Sequence, residues 1–175
     1  MKKTTIPTKK FILNYGLILG IISIIYGVIL YMTDNVASRN WIFAVISAVI
    51  LISIIFYGIS AYKTANNGYL KLGGALKIGI GIALIGGVIS IIWNITLMNV
   101  IEPDMMSQIF DMQREEMIKR NHNMSREQID QNIAMAEKMS SPYIMPILSL
   151  IWNLFLGFII SLIGGAIMQK NRDVF

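Results

Sequence analysis

The side chains able to do acid–base work gather between Glu102 and Lys138. Asp111, Glu115 and Glu116 are spaced to share one helical face, and His122, the only histidine, follows in Asn121-His122-Asn123. Paired carboxylates can cleave glycosides or phosphates when a walled pocket separates their roles as acid and base. Here Lys119 and Arg120 stand four residues after Glu115 and Glu116, the spacing of surface ion pairs, so the group reads as solvated. No nucleophile accompanies His122 in sequence. The chain has no cysteine, which removes disulfides, thiolate metal sites and cysteine nucleophiles. A single histidine also removes a multi-histidine metal centre. The expectation is a protein that is not an enzyme, with no catalytic residue, no metal ligand and no cofactor.

A second set of polar residues lies in apolar surroundings. Asn94 and Asn153 end two similar runs, Ser90-Ile91-Ile92-Trp93-Asn94 and Ser149-Leu150-Ile151-Trp152-Asn153. An amide in such a place is expected to hydrogen-bond across helices. Should the Trp-Asn pairs approach, they would form a polar notch. The echo between the runs is read as shared membrane composition rather than duplication. The third set is basic. Lys63, Lys71 and Lys77 alternate with Asn67, Gly68 and Tyr69, where Asn67-Gly68 is a turn signal. Lysines beside tyrosines suit anionic lipid heads and the membrane interface, or the docking of a cytoplasmic partner. Gly73-Gly74 lacks the spacing of a phosphate loop.

The elements that carry these residues follow from composition. The 175 residues are 55% hydrophobic and 14% charged, against roughly a quarter charged in soluble domains. Such a chain is an all-α integral membrane protein in a single membrane domain. Four stretches reach the ~20 apolar residues a crossing needs, at about residues 11–32, 41–62, 77–99 and 143–168. No acidic or basic side chain falls in the interior of these runs, which disfavours ion-driven transport. The first run exceeds a signal-peptide core and no cleavage pattern follows it, so it reads as a retained helix.

Lys2, Lys3, Lys9 and Lys10 precede the first run, and Lys170 and Arg172 follow the last; the first loop has only Arg39. Because cytoplasmic loops are rich in Lys and Arg, both termini and the second loop are expected in the cytoplasm. The net charge of +5 then reflects topology, and no nucleic acid is expected as a partner. The first loop and an insert at about residues 102–141 face the other side. That insert reads as a helical hairpin. Pro103 suits a first helical position, and Met105, Met106, Ile109, Phe110, Met117 and Ile118 form an apolar stripe. Ser125 with Gln128 makes a capping-box pattern, and Ile129, Ile133, Ala136 and Met139 continue the stripe. Ser141-Pro142 would cap the last span, and Pro146 would loosen its first turns.

Small residues recur along three of the spans: Gly16 and Gly20 in the first, Ala75, Gly79, Ala83 and Gly87 in the third, Gly157, Ser161 and Gly165 in the fourth. Such spacing lets backbones approach in lipid. Mutual packing within one chain is the expectation, with a homo-oligomer as the alternative use.

Asn14-Tyr15-Gly16 with Gly20, Tyr62-Lys63 with Asn67-Gly68-Tyr69-Leu70, and Ala75-Leu76-Lys77-Ile78-Gly79 form a recognisable series. With Ile101-Glu102-Pro103-Asp104 and Ile167-Met168-Gln169-Lys170, it resembles the bacterial membrane family DUF4199, a domain of unknown function, over about residues 8–171. The resemblance implies a small inner-membrane protein of Gram-negative bacteria, and neither an activity nor functional residues. It also implies a genomic neighbour, a family-2 glycosyltransferase resembling polyprenyl-phosphate sugar transferases, as a candidate cytoplasmic partner. The expected function is a non-enzymatic scaffold or anchor for such a partner. A carrier for a neutral solute or lipid is the alternative.

Overall fold

The computed structural model describes residues 7–36, 38, 40–120, 124–140 and 144–170. Six α-helices account for most of them: α1 (Thr8–Met32), α2 (Trp41–Ala65), α3 (Leu72–Thr96), α4 (Met105–Arg120), α5 (Arg126–Met139) and α6 (Ile144–Met168). Helices α1, α2 and α6 have 25 residues each, and α3 continues through a π turn, Leu97–Ile101, to 30 residues. At about 1.5 Å per residue each spans more than the ~30 Å hydrocarbon layer. These four are long and apolar enough to cross a membrane.

The helix ends run past the apolar runs. Helix α1 starts at Thr8 behind Pro7 and so includes Lys9 and Lys10, both exposed; α2 carries Lys63 in its last turn; α3 starts at Leu72, ahead of the exposed Lys77. Hydropathy marks where a helix is apolar, whereas the backbone continues until a cap stops it, and long basic side chains reach back to the interface. For α2 the stop is a left-handed pair. Asn67 has φ 57° and Gly68 φ 80°, and the Gly68 N–H donates to the Lys63 carbonyl at 2.8 Å, a Schellman closure. Asn66 Nδ2 adds a bond to the Tyr69 carbonyl at 2.8 Å. Pro146 falls in the first turn of α6, where the missing N–H would have no helical partner anyway. Ser141 and Pro142 lie outside the described residues.

Helix α3 is the hub, touching α1, α2 and α6. Its small residues set an antiparallel register with α6. Ala75 faces Gly165, Gly79 faces Ser161, Ala83 faces Gly157, and Gly87 faces Asn153, each step four residues on both helices. A Cβ on Gly157 would lie 2.5 Å from that of Ala83, so the backbones approach as only glycine allows. Helices α1 and α3 run parallel, with knobs exchanged both ways. Ile85 and Ile89 of α3 seat on Gly16 and Gly20, and Ile12 and Leu19 of α1 seat on Gly81 and Gly86. The directions put Thr8, the α2–α3 loop and Met168 at one end of the bundle. At that end Leu70, fully buried, pairs with Lys170 in an antiparallel bridge through two backbone bonds of 3.0 and 2.9 Å.

Ile54, Ile55, Ile59, Ile78 and Ile82 form the core. The buried positions cluster toward that same end. Helix α1 has none beyond Gly20, α2 none before Leu51 and α6 none before Gly157.

Helices α4 and α5 pack on one another. The capping box is complete: the Gln128 N–H donates to Ser125 Oγ at 3.2 Å, and the Ser125 N–H to Gln128 Oε1 at 3.0 Å. Met105, Ile129 and Ile133 are buried, while Ile118 is half exposed and falls off the stripe. Pro103 sits in the turn before α4, not at its first helical position. The carbonyl of Glu102 accepts from the Met105 N–H at 3.1 Å there, so helical geometry begins after the proline.

Candidate functional site

The two Trp-Asn runs meet. Trp93 and Asn94 of α3 and Trp152 and Asn153 of α6 line one cavity of about 550 Å³, bounded by all four long helices. Their amides behave differently. Asn153 Nδ2 donates across helices to the Ala83 carbonyl at 2.9 Å, on the small-residue seam where the two backbones are close. Asn94 Nδ2 instead turns back to the Ser90 carbonyl of its own helix at 2.8 Å. Asn94 is exposed and spends this N–H within its own helix, although it lines the same cavity. The cavity's polar lining also includes Ser23, Tyr26, Ser47 and Ser149, and no ionisable acid or base other than Tyr26. The Tyr26 hydroxyl donates to the Phe43 carbonyl at 3.0 Å, fastening α1 to α2 at the cavity's far end.

The second-loop residues sit at the opposite end. Lys63 is half buried in the last turn of α2, where a cation complements the helix dipole. Asn67 and Gly68 form the left-handed turn, Tyr69 is half buried, and Lys71 and Lys77 are exposed. Lys9, Lys10 and Lys170 share this end, which holds no acidic side chain among the described residues. The packing residues Gly16, Gly20, Ala75, Gly79, Ala83, Gly87, Gly157, Ser161 and Gly165 are occupied by contacts between helices of this chain.

Asp111 and Glu115 lie on the exposed surface of the insert. Glu115 pairs with Lys119 at 3.4 Å, with both side chains more than two-thirds exposed. Arg114 bridges to Asp130 of α5 at 3.4 Å, and Asp111 is exposed. His122 lies outside the described residues. Among the described residues no group of three or more His, Cys, Asp or Glu is placed to hold a metal ion.

Sequence reasoning missed a contact at the insert's entrance. The Tyr31 hydroxyl donates to Glu102 Oε2 at 3.1 Å, and Gln108 Nε2 to Glu102 Oε1 at 3.3 Å. These groups line a second cavity with Asp34, Met105 and Ile109. The available signal was positional, because Tyr31 and Glu102 each end one of two parallel helices.

The helices define a multi-pass α-helical membrane protein. The profile described as "Protein of unknown function (DUF4199)" matches residues 14–170, nearly the whole chain, and the protein belongs to that family. Neither a curated protein nor a solved structure matches it.

Proposed function

We propose that this protein is a non-enzymatic scaffold or anchor in the bacterial inner membrane, with both termini in the cytoplasm and the α4–α5 hairpin outside. One observation carries the reading. Lys9, Lys10, Lys63, Lys71, Lys77 and Lys170 gather at one end of the bundle, and the Leu70–Lys170 bridge holds two of its segments together. A basic end faces the cytoplasm by the rule of positive loops, where it meets anionic lipid heads and offers a fixed surface to a soluble partner. A family-2 glycosyltransferase is the candidate partner.

The test replaces Lys63, Lys71 and Lys77 together with Gln. Loss of the partner from the membrane fraction is expected, and undiminished recruitment would count against this surface. A reporter that folds only outside the cytoplasm should be active when fused between Arg114 and Lys138 and silent after Lys170.

The cavity favours a second reading, a carrier for a neutral solute or lipid. It is membrane-embedded, lined by hydroxyls and amides, and reaches all four spans. Protein-dependent flux of a neutral solute or lipid in reconstituted vesicles is expected under this reading, and its absence across a panel would remove it.

A further inference from the structure

Close packing thins halfway along the bundle. Leu97 excepted, the buried span residues lie at or inside the level of Gly20, Leu51, Gly87 and Gly157. Beyond that level the four helices surround the cavity of about 550 Å³, a size common for small-molecule sites, with α1 and α3 still touching where Trp93 abuts Gly27. Helices in lipid gain their association from close packing, so an open half-bundle forgoes that gain unless something occupies it.

The chemistry of the lining narrows the occupant. Leu19, Leu51, Leu150 and Leu156 supply apolar wall. The hydroxyls have largely spent their hydrogens inside the protein. Ser47 and Tyr26 donate to the Phe43 carbonyl at 3.1 and 3.0 Å, Ser90 to that of Gly86 at 2.9 Å, and Ser149 to that of Pro146 at 2.8 Å. A hydroxyl that has donated its one hydrogen retains only acceptor lone pairs. Asn94 and Asn153 each keep an amide oxygen as well. The site therefore offers these acceptors beside a few donors, the Trp93 and Trp152 indole N–H groups and the Ser23 hydroxyl, which suit an ester carbonyl, and its lining contains no cation.

The geometry points to a binding site for an uncharged, chain-bearing lipid that donates a hydroxyl, of the monoacylglycerol type. Its chain lies along the leucines and its hydroxyls meet the free lone pairs. A phosphate or carboxylate would enter a low-dielectric site with no cation to pair it, a costly transfer. The inference deepens the carrier reading and rests on the same cavity, but it requires only binding.

The test uses the full-length protein in phosphatidylethanolamine–phosphatidylglycerol vesicles. The probes are a monoacylglycerol with a diazirine in its acyl chain and the lysophosphatidic acid carrying the same chain. Crosslinks of the monoacylglycerol are expected to concentrate on cavity residues, about ten-fold above those of the phosphate lipid, a ratio equal to ~1.4 kcal/mol. Ala48→Phe should narrow the cavity and cut this labelling several-fold, while Val45→Phe, on the exposed face of α2, should not. Because a phenylalanine at residue 48 can also unfold the bundle, the comparison of the two lipids on the unaltered protein decides independently. Equal labelling by both lipids, or crosslinks spread over the outward faces of all four helices, overturns the proposal. Cavity labelling without transbilayer movement of the probe upholds the site and removes the carrier. Movement without cavity labelling overturns the site and leaves the carrier standing.

Discussion

Two asparagines in matching sequence contexts have different energetic roles. Asn153 bonds a carbonyl on another helix, and Asn94 bonds its own. Interhelical polar bonds in membranes average about 0.6 kcal/mol and reach about 1.7. Asn153→Leu should therefore destabilise the bundle by roughly 1 kcal/mol, and more if the larger side chain crowds Gly87, while Asn94→Leu should be close to neutral. Reversible unfolding in mixed micelles measures both, and equal costs would deny the cross-helix bond its weight. Glycines divide in the same way. A Cβ at Gly157 meets the Ala83 Cβ at 2.5 Å, whereas one at Gly73 meets nothing within 4 Å. Gly157→Leu should cost about 1–3 kcal/mol or more through overpacking, and Gly73→Ala should be tolerated. Gly68→Ala meets no steric neighbour but forces an L residue to φ 80°, at about 1–2 kcal/mol.

At the scale of elements, the capping box and the α3–α6 register give the sharpest expectations. Ser125 and Gln128 satisfy two backbone donors at the start of α5. Ser125→Ala should cost about 0.5–2 kcal/mol, read as faster amide exchange confined to the first turns of α5. The register is testable because the chain has no native cysteine. Cysteines at Ala75 and Gly165, whose Cβ positions lie 2.8 Å apart, should crosslink once the helices ease apart by roughly 1 Å. Cysteines at Ala75 and Ser161 are offset by one turn and should not, since a disulfide needs Cβ atoms within about 4.5 Å. The reverse preference would shift α6 by a turn. Helix α3 holds this position because small residues lie on the side facing α6, and glycines alternate with isoleucines on the side facing α1. It can therefore receive knobs from one neighbour and close backbone contact from the other.

For the whole molecule, the uneven core matters most. The end with the lysines is tightly packed and closed by the Leu70–Lys170 bridge, while the far half surrounds a cavity. Leu70→Pro removes the N–H that donates to Lys170. It should leave the four spans inserted but expose the chain near residue 170, seen as protease cleavage there in vesicles that present this end to the protease; unchanged protection would mean that the bridge does not hold that end. A docking surface at the packed end and a ligand site at the open end are compatible uses of one bundle, and the lysine replacements test the first while the lipid crosslinks test the second.

The elements themselves follow from the order of residues along the chain. Four apolar runs, the Asn67-Gly68 turn and the Ser125–Gln128 cap are all patterns contiguous in sequence, and the folded chain keeps them. The small-residue spacing showed that helices could approach closely without saying which pairs would. Tertiary structure alone decided that α3 is the hub and that Asn153 reaches across while Asn94 does not. It also decided that Leu70 pairs with Lys170 and that the far half stays open. Each of these depends on the rotation of one helix about its axis relative to another, a long-range quantity that hydropathy along the chain does not contain. Pro103 shows a local limit: its ring permits the first turn of a helix, but the start of α4 is fixed by which carbonyls the following N–H groups find.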